Sequence, residues 1–142
     1  MLEEKAREYY KNGYNCAESM IRAGNDVYGL DLHDQDMKMI AGFGGGLQCG
    51  DVCGALTGAI CIISSKYVET KAHDSAILRP LTLQLVRAFQ KEMGSRLCMQ
   101  IKPKFYDKEL HCQNTVGTAA SVLEKVIQDW EEENSNVTVS KK

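Results

Sequence analysis

The residues from Asp51 to Val68 are apolar on nearly every side. A surface helix carries an apolar stripe, whereas a segment that is apolar all round belongs inside the protein. The pattern therefore predicts a central buried helix around which the rest of the chain must wrap. Its beginning, CGDVCGALTGAIC at residues 49–61, is an odd choice for a core helix. Gly50, Gly54 and Gly58 recur every four residues with three cysteines among them. Residues four apart share a helix face, so these glycines would form one ridge, at about 1 kcal/mol of lost helix propensity each relative to alanine. Such a ridge admits either a second helix at close range or a cofactor or thiol, and the two uses are compatible. Cys49 and Cys53 would share a helix face if the helix already included residue 49. Cys61, between Ile60 and Ile62, reads as a small hydrophobe filling a gap.

The remaining segments also read as helices. Leu2 to Lys11 is stopped by Asn12-Gly13, and Asn15 with Glu18 three residues later is a capping-box pattern opening a helix through Tyr28 to Gly29. His33-Asp34 starts another, with Met37, Ile40 and Ala41 on one face, which runs into the glycine-rich break at 42–46. Asp74 or Ser75 starts a helix to about Met93 with Pro80 inside it, Gly94-Ser95 ends it, and a polar connection holding Pro103 follows. Thr115 to Glu132 is the last helix, its inner face formed by Val116, Ala119, Ala120, Leu123 and Ile127. Strands are not indicated. The expectation is an all-α protein, a compact helical bundle with a central buried Gly/Cys-rich helix, occupying residues 1–133 as one domain and followed by a polar tail at 134–142.

A chain of 142 residues can bury roughly 68–70% of its unfolded surface and does not need disulfides or a metal to fold. The net charge of −2, with both signs mixed along the chain, leaves no basic footprint for nucleic acid. The charged, amphipathic N-terminus has no signal-peptide character. The most apolar run, Ala55 to Ser65, is about half the roughly 20 residues a membrane helix needs. These features lead to the expectation of a cytoplasmic protein that engages neither membrane nor nucleic acid. In a reducing compartment its six cysteines are metal ligands, redox thiols or buried residues rather than structural disulfides. The local signatures of thioredoxin, c-type haem and zinc-ribbon sites are all missing, so any joint action depends on the fold to assemble them.

Placement singles out some of these cysteines. Cys16 follows the Asn15 cap at the first turn of its helix, where unpaired N–H groups and the dipole stabilise a thiolate. That predicts a depressed thiol at Cys16, the most reactive one in a metal-free protein, attacking toward Cys53, with Cys61 moving the opposite way and staying inert. Cys112 stands similarly ahead of the last helix, and Cys98 follows the Gly94-Ser95 break. His111 adjoins Cys112 and reads as a solvated loop residue, and His33 and His73 as helix-start residues. The apolar positions Tyr9, Tyr10, Tyr14 and Phe43 suggest pairing of two copies through a two-fold interface.

The segments GYNCAES, GFGGG, VCGALTGA, GSRLC and a final HC before a helix occur in that order across almost the whole chain. In this the sequence resembles the redox-active family named for its C_GCAxxG_C_C pattern, which consists of bacterial and archaeal proteins of about this length. The resemblance maps the four hallmark cysteines onto Cys16, Cys53, Cys98 and Cys112, with Gly54, Ala55 and Gly58 completing the CGAxxG segment, and leaves Cys49 and Cys61 outside the set. It implies four cysteines that converge as redox thiols or as ligands of an iron–sulfur cluster, [2Fe-2S]-like, working with a redox partner. Four converging thiolates equally suit a tetrahedral zinc, so the second reading is a metal-binding module or sensor without turnover.

Overall fold

Asn15 and Glu18 close the capping box. The Asn15 carboxamide accepts the Glu18 N–H at 2.9 Å and the Glu18 carboxylate accepts the Asn15 N–H at 2.9 Å, satisfying two donors that a helix start otherwise leaves open. The helix they begin ends at Gly29, whose φ of 62° closes it in the left-handed region. In the computed structural model, which describes residues 1–138, the regular elements are helices: α1 (Leu2–Lys11), α2 (Cys16–Tyr28), α3 (Asp34–Met37), α4 (Gly54–Tyr67), α5 (Leu78–Met93), α6 (Cys98–Phe105) and α7 (Gln113–Thr138). A 3-10 turn at Lys38–Phe43 and an irregular turn at Gly46–Gly50 lie between α3 and α4. Isolated β-bridges join Val52 to Leu97 and Asp107 to His111. The fold is all-α, and among the described residues no helix is long and apolar enough to cross a membrane.

Helix α4 is the buried centre. It packs on α2, α5 and α7, while α1 covers α2 and α7. Its Ala55, Leu56, Ala59, Ile62 and Ile63 are buried together with Met20 of α2, Leu81, Leu85, Phe89 and Met93 of α5, and the expected inner face of α7. The closest pairing is α2 against α4. A Cβ on Gly58 would stand 2.7 Å from the Met20 Cβ and 2.9 Å from the Ala17 carbonyl oxygen, and one on Gly24 only 2.5 Å from Ile62. The missing side chains are what let these two helices approach.

The helix directions matter for the site. Arg7 of α1 reaches the Asn114 carboxamide at 3.1 Å while the N-terminal ammonium reaches Glu124 at 3.7 Å, so α1 and α7 are antiparallel. Tyr67 at the end of α4 bonds Glu131 of α7 at 2.6 Å, and Lys66 lies over Tyr28 at the end of α2 at 5.3 Å. Helices α2, α4 and α7 thus run the same way, and all three begin at one end of the bundle.

Several boundaries differ from the sequence pattern. The central helix starts at Gly54, because the chain before it is extended: Cys53 N–H bonds the Arg96 carbonyl at 2.8 Å and Cys98 N–H bonds the Asp51 carbonyl at 2.7 Å. Gly50 is therefore not part of the ridge, which reduces to Gly54 and Gly58, and Cys49 shares no helix face with Cys53. Helix α5 starts at Leu78, whose N–H is received by the Ser75 hydroxyl at 3.2 Å, and Pro80 sits in its first turn. The connection holding Pro103 is itself a helix, α6. Pro103 removes only the donor facing the carbonyl of the exposed Met99, where water can substitute. Helix α7 begins at Gln113 and continues past Glu132 to Thr138, so the tail expected from 134 opens as helix, and its residues 139–142 lie outside the described residues.

Candidate functional site: a cavity lined by four cysteines

Each of four cysteines sits at the start of a helix. Cys16 is the first residue of α2 and Cys98 the first of α6, while Cys53 is the N-cap of α4. Cys112 caps α7, since the Val116 N–H bonds its carbonyl at 3.0 Å. A helix start presents unpaired N–H groups and the positive end of the macrodipole. The parallel course of α2, α4 and α7, with α6 folded across by the Val52–Leu97 bridge, brings these four starts to one place. Cys16, Cys53, Cys98 and Cys112 all line a single cavity of about 270 Å³, together with Tyr10, Asn15, Gly45, Ile101, Lys102, Tyr106, His111 and Thr115.

The surrounding sequence explains how the thiols fit. A Cβ on Gly54 would fall 2.5 Å from the Cys16 sulfur and 2.8 Å from the Phe43 carbonyl oxygen, so only glycine lets the start of α4 lie against Cys16. Gly46, at φ 64°, leaves room in the same way for the Cβ of Cys98, which would otherwise stand 2.6 Å away. Gly45 at φ 62° turns its N–H toward the Cys16 sulfur. The glycine-rich break thus wraps the rim of the cavity, in addition to ending the preceding helical segment.

Burial decides the electrostatics. Cys53 is 3% exposed, and burial, with Cys16 alongside, pushes its thiol up to about 12, against the N–H groups of Ala55 and Leu56. Burial likewise pushes Cys16 up, opposed by the N–H groups of Gly45 and Ala17 and reinforced by Cys112 and Cys98. The expected depression at Cys16 is thereby overturned: the helix start does favour the thiolate, but desolvation outweighs it. Cys112 is half-buried and also raised by burial, with the Tyr10 hydroxyl and the Lys102 ammonium acting in the other direction. The thiols also act on one another: Cys16 and Cys98 raise Cys53, and Cys98 raises Cys112. They are neighbours, yet among the described residues no group of three or more His, Cys, Asp or Glu is gathered tightly enough to hold a metal ion. All six cysteines are free thiols.

A model of the family described as "Putative redox-active protein (C_GCAxxG_C_C)" matches residues 14–126. The chain belongs to this family. No curated protein and no solved structure matches it. The family's matched span contains all four cavity cysteines and excludes α1, which nonetheless contributes Tyr10 to the wall.

The other candidates lie elsewhere. Cys49 is exposed on the turn Gly46–Gly50, and Cys61 is half-buried beside the apolar residues Ile21, Met37, Ile40 and Phe43, its thiol raised by burial as expected. His33 pairs with Asp36 at 3.5 Å and His73 lies in the short turn Ala72–Asp74. His111, by contrast, lines the cavity, at φ 55° and with its Nδ1 2.7 Å from the Tyr106 hydroxyl. Three of the four apolar positions marked for pairing have partners inside the subunit: Tyr9 bonds Asp26 at 2.6 Å, Tyr14 lies under Arg22 at 4.5 Å and Tyr10 faces the cavity. Tyr10, Lys102 and Tyr106 were not singled out as site residues from the sequence. Only the position of Tyr10, at the end of α1 just before the turn into Cys16, carried a trace of its role.

Proposed function

We propose that Cys16, Cys53, Cys98 and Cys112 hold an iron–sulfur cluster and that the protein is a redox module built on it. The observation that carries this reading is the convergence of the four cysteines on one cavity. They line one cavity, each thiol at or just before the first turn of a different helix. A donor set of four cysteines around a space of about 270 Å³ suits a polynuclear group better than one ion. When bound, such a cluster supplies electron transfer at a potential set by its surroundings.

The chain's own residues do the rest. Ligand thiols must lose their protons on loading, and here burial holds Cys16 and Cys53 as neutral thiols until a cation offsets the desolvation. The N–H groups of Gly45, Ala17, Ala55 and Leu56 then face the charged sulfurs, and the buried wall of Ile101 limits water. Anaerobic purification followed by a visible spectrum and analysis for iron, sulfide and zinc tests the reading. Charge-transfer bands with stoichiometric iron and sulfide support it, and zinc alone replaces it with the metal-module reading.

A second reading, dithiol–disulfide exchange, draws on Cys98 and Cys112, which are less buried than Cys16 and Cys53. A colourless, metal-free protein with titratable thiols would favour it.

A further inference from the structure

Apart from Met1 and Leu83, the large hydrophobic side chains left exposed among the described residues are Met39, Phe43, Leu47, Met99, Tyr106 and Leu110. All six come from the two stretches that border the four-cysteine cavity, residues 38–50 and 98–111. The Phe43 carbonyl lies against Gly54 at the start of α4, and the Met99 Cβ stands 3.4 Å from where a side chain on Gly50 would begin. Lys102, Tyr106 and His111 line the cavity and are themselves exposed, so the cavity opens among these residues. Single exposed hydrophobic residues are ordinary, whereas a concentration of them around one opening marks a contact surface.

The charge around the opening has a sign. Residues 38–50 and 98–111 hold Lys38, Lys102, Lys104 and Lys108 against Asp107 and Glu109, a net +2 in a chain of net −2. Asp51 and Arg96, just outside these stretches, cancel each other. The Asp107 carboxylate is engaged by its own turn, accepting the N–H groups of Glu109 and Leu110 at 2.8 Å each, while all four lysines are exposed. The positive ends of α2, α4 and α7 lie at this same end of the bundle. Two copies meeting here face to face would bring like charges together, which is costly at an interface. The charge therefore selects an acidic partner over a second copy.

We propose that this rim is the docking face for an acidic electron-transfer protein, one whose contact surface is apolar at its centre and edged with carboxylates. That the partner carries electrons rests on the redox reading above; the docking face itself rests on the exposed side chains and their charge. Redox encounters bury little surface, which suits a patch of six side chains around an opening.

The test titrates the full chain, purified anaerobically, with two probes: an acidic plant-type ferredoxin and a basic cytochrome c. Calorimetry gives the affinity and hydrogen exchange the location. The ferredoxin is expected to protect residues 38–50 and 98–111, and its affinity to fall about tenfold between about 20 and 150 mM salt. The double variant Lys104→Glu, Lys108→Glu should weaken it about tenfold at low salt, and Met99→Ser should weaken it at both salt concentrations. Lys71→Glu makes the same kind of charge change at an exposed position near the end of the bundle where α4 stops, and should leave binding unchanged. Absence of ferredoxin binding, protection centred elsewhere, equal weakening by Lys71→Glu, or tighter binding of the cytochrome overturns the docking face. So does a dimer of the chain alone that protects the same residues. Iron and sulfide analysis of the same samples separates the two readings. A chain without iron and sulfide that still binds ferredoxin on the rim upholds the face and overturns the cluster, whereas a loaded chain that binds none does the reverse.

Discussion

At the end of the bundle where α4 stops, Tyr67 donates to Glu131 at 2.6 Å, Lys66 reaches the same carboxylate at 3.4 Å, and the Lys66 ammonium lies over the rings of Tyr28 and Tyr67 at 5.3 and 5.1 Å. At the end where α4 starts, the helix N–H groups face sulfurs, and the thiols have mainly one another. Ordinary helix starts are closed by Ser, Thr, Asp or Asn. Of the four starts at this end, only α2 has such a cap, Asn15; Cys53 and Cys112 occupy the capping positions of α4 and α7, and Leu97 that of α6. One end is therefore arranged for stability from its own side chains. The other leaves local stability unused in order to present four thiols, the trade expected where a fold carries a function.

Substituting Cys53 gives the largest separation of the two ends. Cys53→Ser should abolish loading with iron and sulfide, a loss of at least about tenfold in bound metal, since even outer partners of metal ligands cost that much. In the metal-free protein the same hydroxyl can accept the Ala55 or Leu56 N–H as a conventional cap, so urea unfolding should show stability unchanged or raised by up to about 1 kcal/mol. A metal-free variant less stable than wild type would break the claim that this end forgoes stability.

Next comes Gly54→Ala. Its methyl would meet the Phe43 carbonyl oxygen at 2.8 Å as well as the Cys16 sulfur, and backbone does not yield readily. A cost of about 1–3 kcal/mol from overpacking should outweigh the roughly 1 kcal/mol of helix propensity gained. Gly42→Ala meets nothing within 4 Å and should stay within about 0.5 kcal/mol of wild type. Equal midpoints in urea for the two variants would remove Gly54 from the account of the site.

At the far end, Tyr67→Phe should cost about 1 kcal/mol, the usual net value of one hydrogen bond, and leave iron content untouched. Loss of iron in this variant would mean the two ends are not independent.

The smallest effect is a slope with pH. Burial raises Cys53 from 9.0 to about 12 and moves Cys16, Cys112 and Cys61 in the same direction. The unfolded chain therefore gives up thiol protons first. Stability of the metal-free protein should be constant below about pH 9 and fall as pH rises toward 12. Cys53→Ser should flatten that fall. A stability that rose over this interval would mean the thiols are charged in the folded state.

Features governed by neighbouring residues in the sequence were legible in advance: the all-round apolar α4, the Asn15–Glu18 box, the inner face of α7. That Cys16, Cys53, Cys98 and Cys112 come to one cavity was legible because five short motifs stand in a fixed order. The ridge at Gly50 was misread because the turn before it depends on left-handed backbone at Leu47 and Gln48, residues that give no local sign of it. Pro103 hid α6, since a proline reads as a break unless the carbonyl it deprives is exposed. Tyr10 reads from the sequence as an apolar surface position suited to pairing of two copies, and only the antiparallel course of α1 against α7 reveals that it touches Cys112 in the cavity wall. The direction of the Cys16 thiol followed from desolvation, which no run of neighbouring letters records.

Cys16 and Cys112 lie 96 positions apart, and each of the four thiols belongs to a different helix. A ribosome releases the chain from its N-terminus, so the set stays incomplete until the start of α7 has emerged and docked between α1 and α4. No fragment ending before that point can carry all four thiols. Under the cluster proposal, loading waits on docking of the start of α7, and a loaded protein is one whose four helix starts have already met.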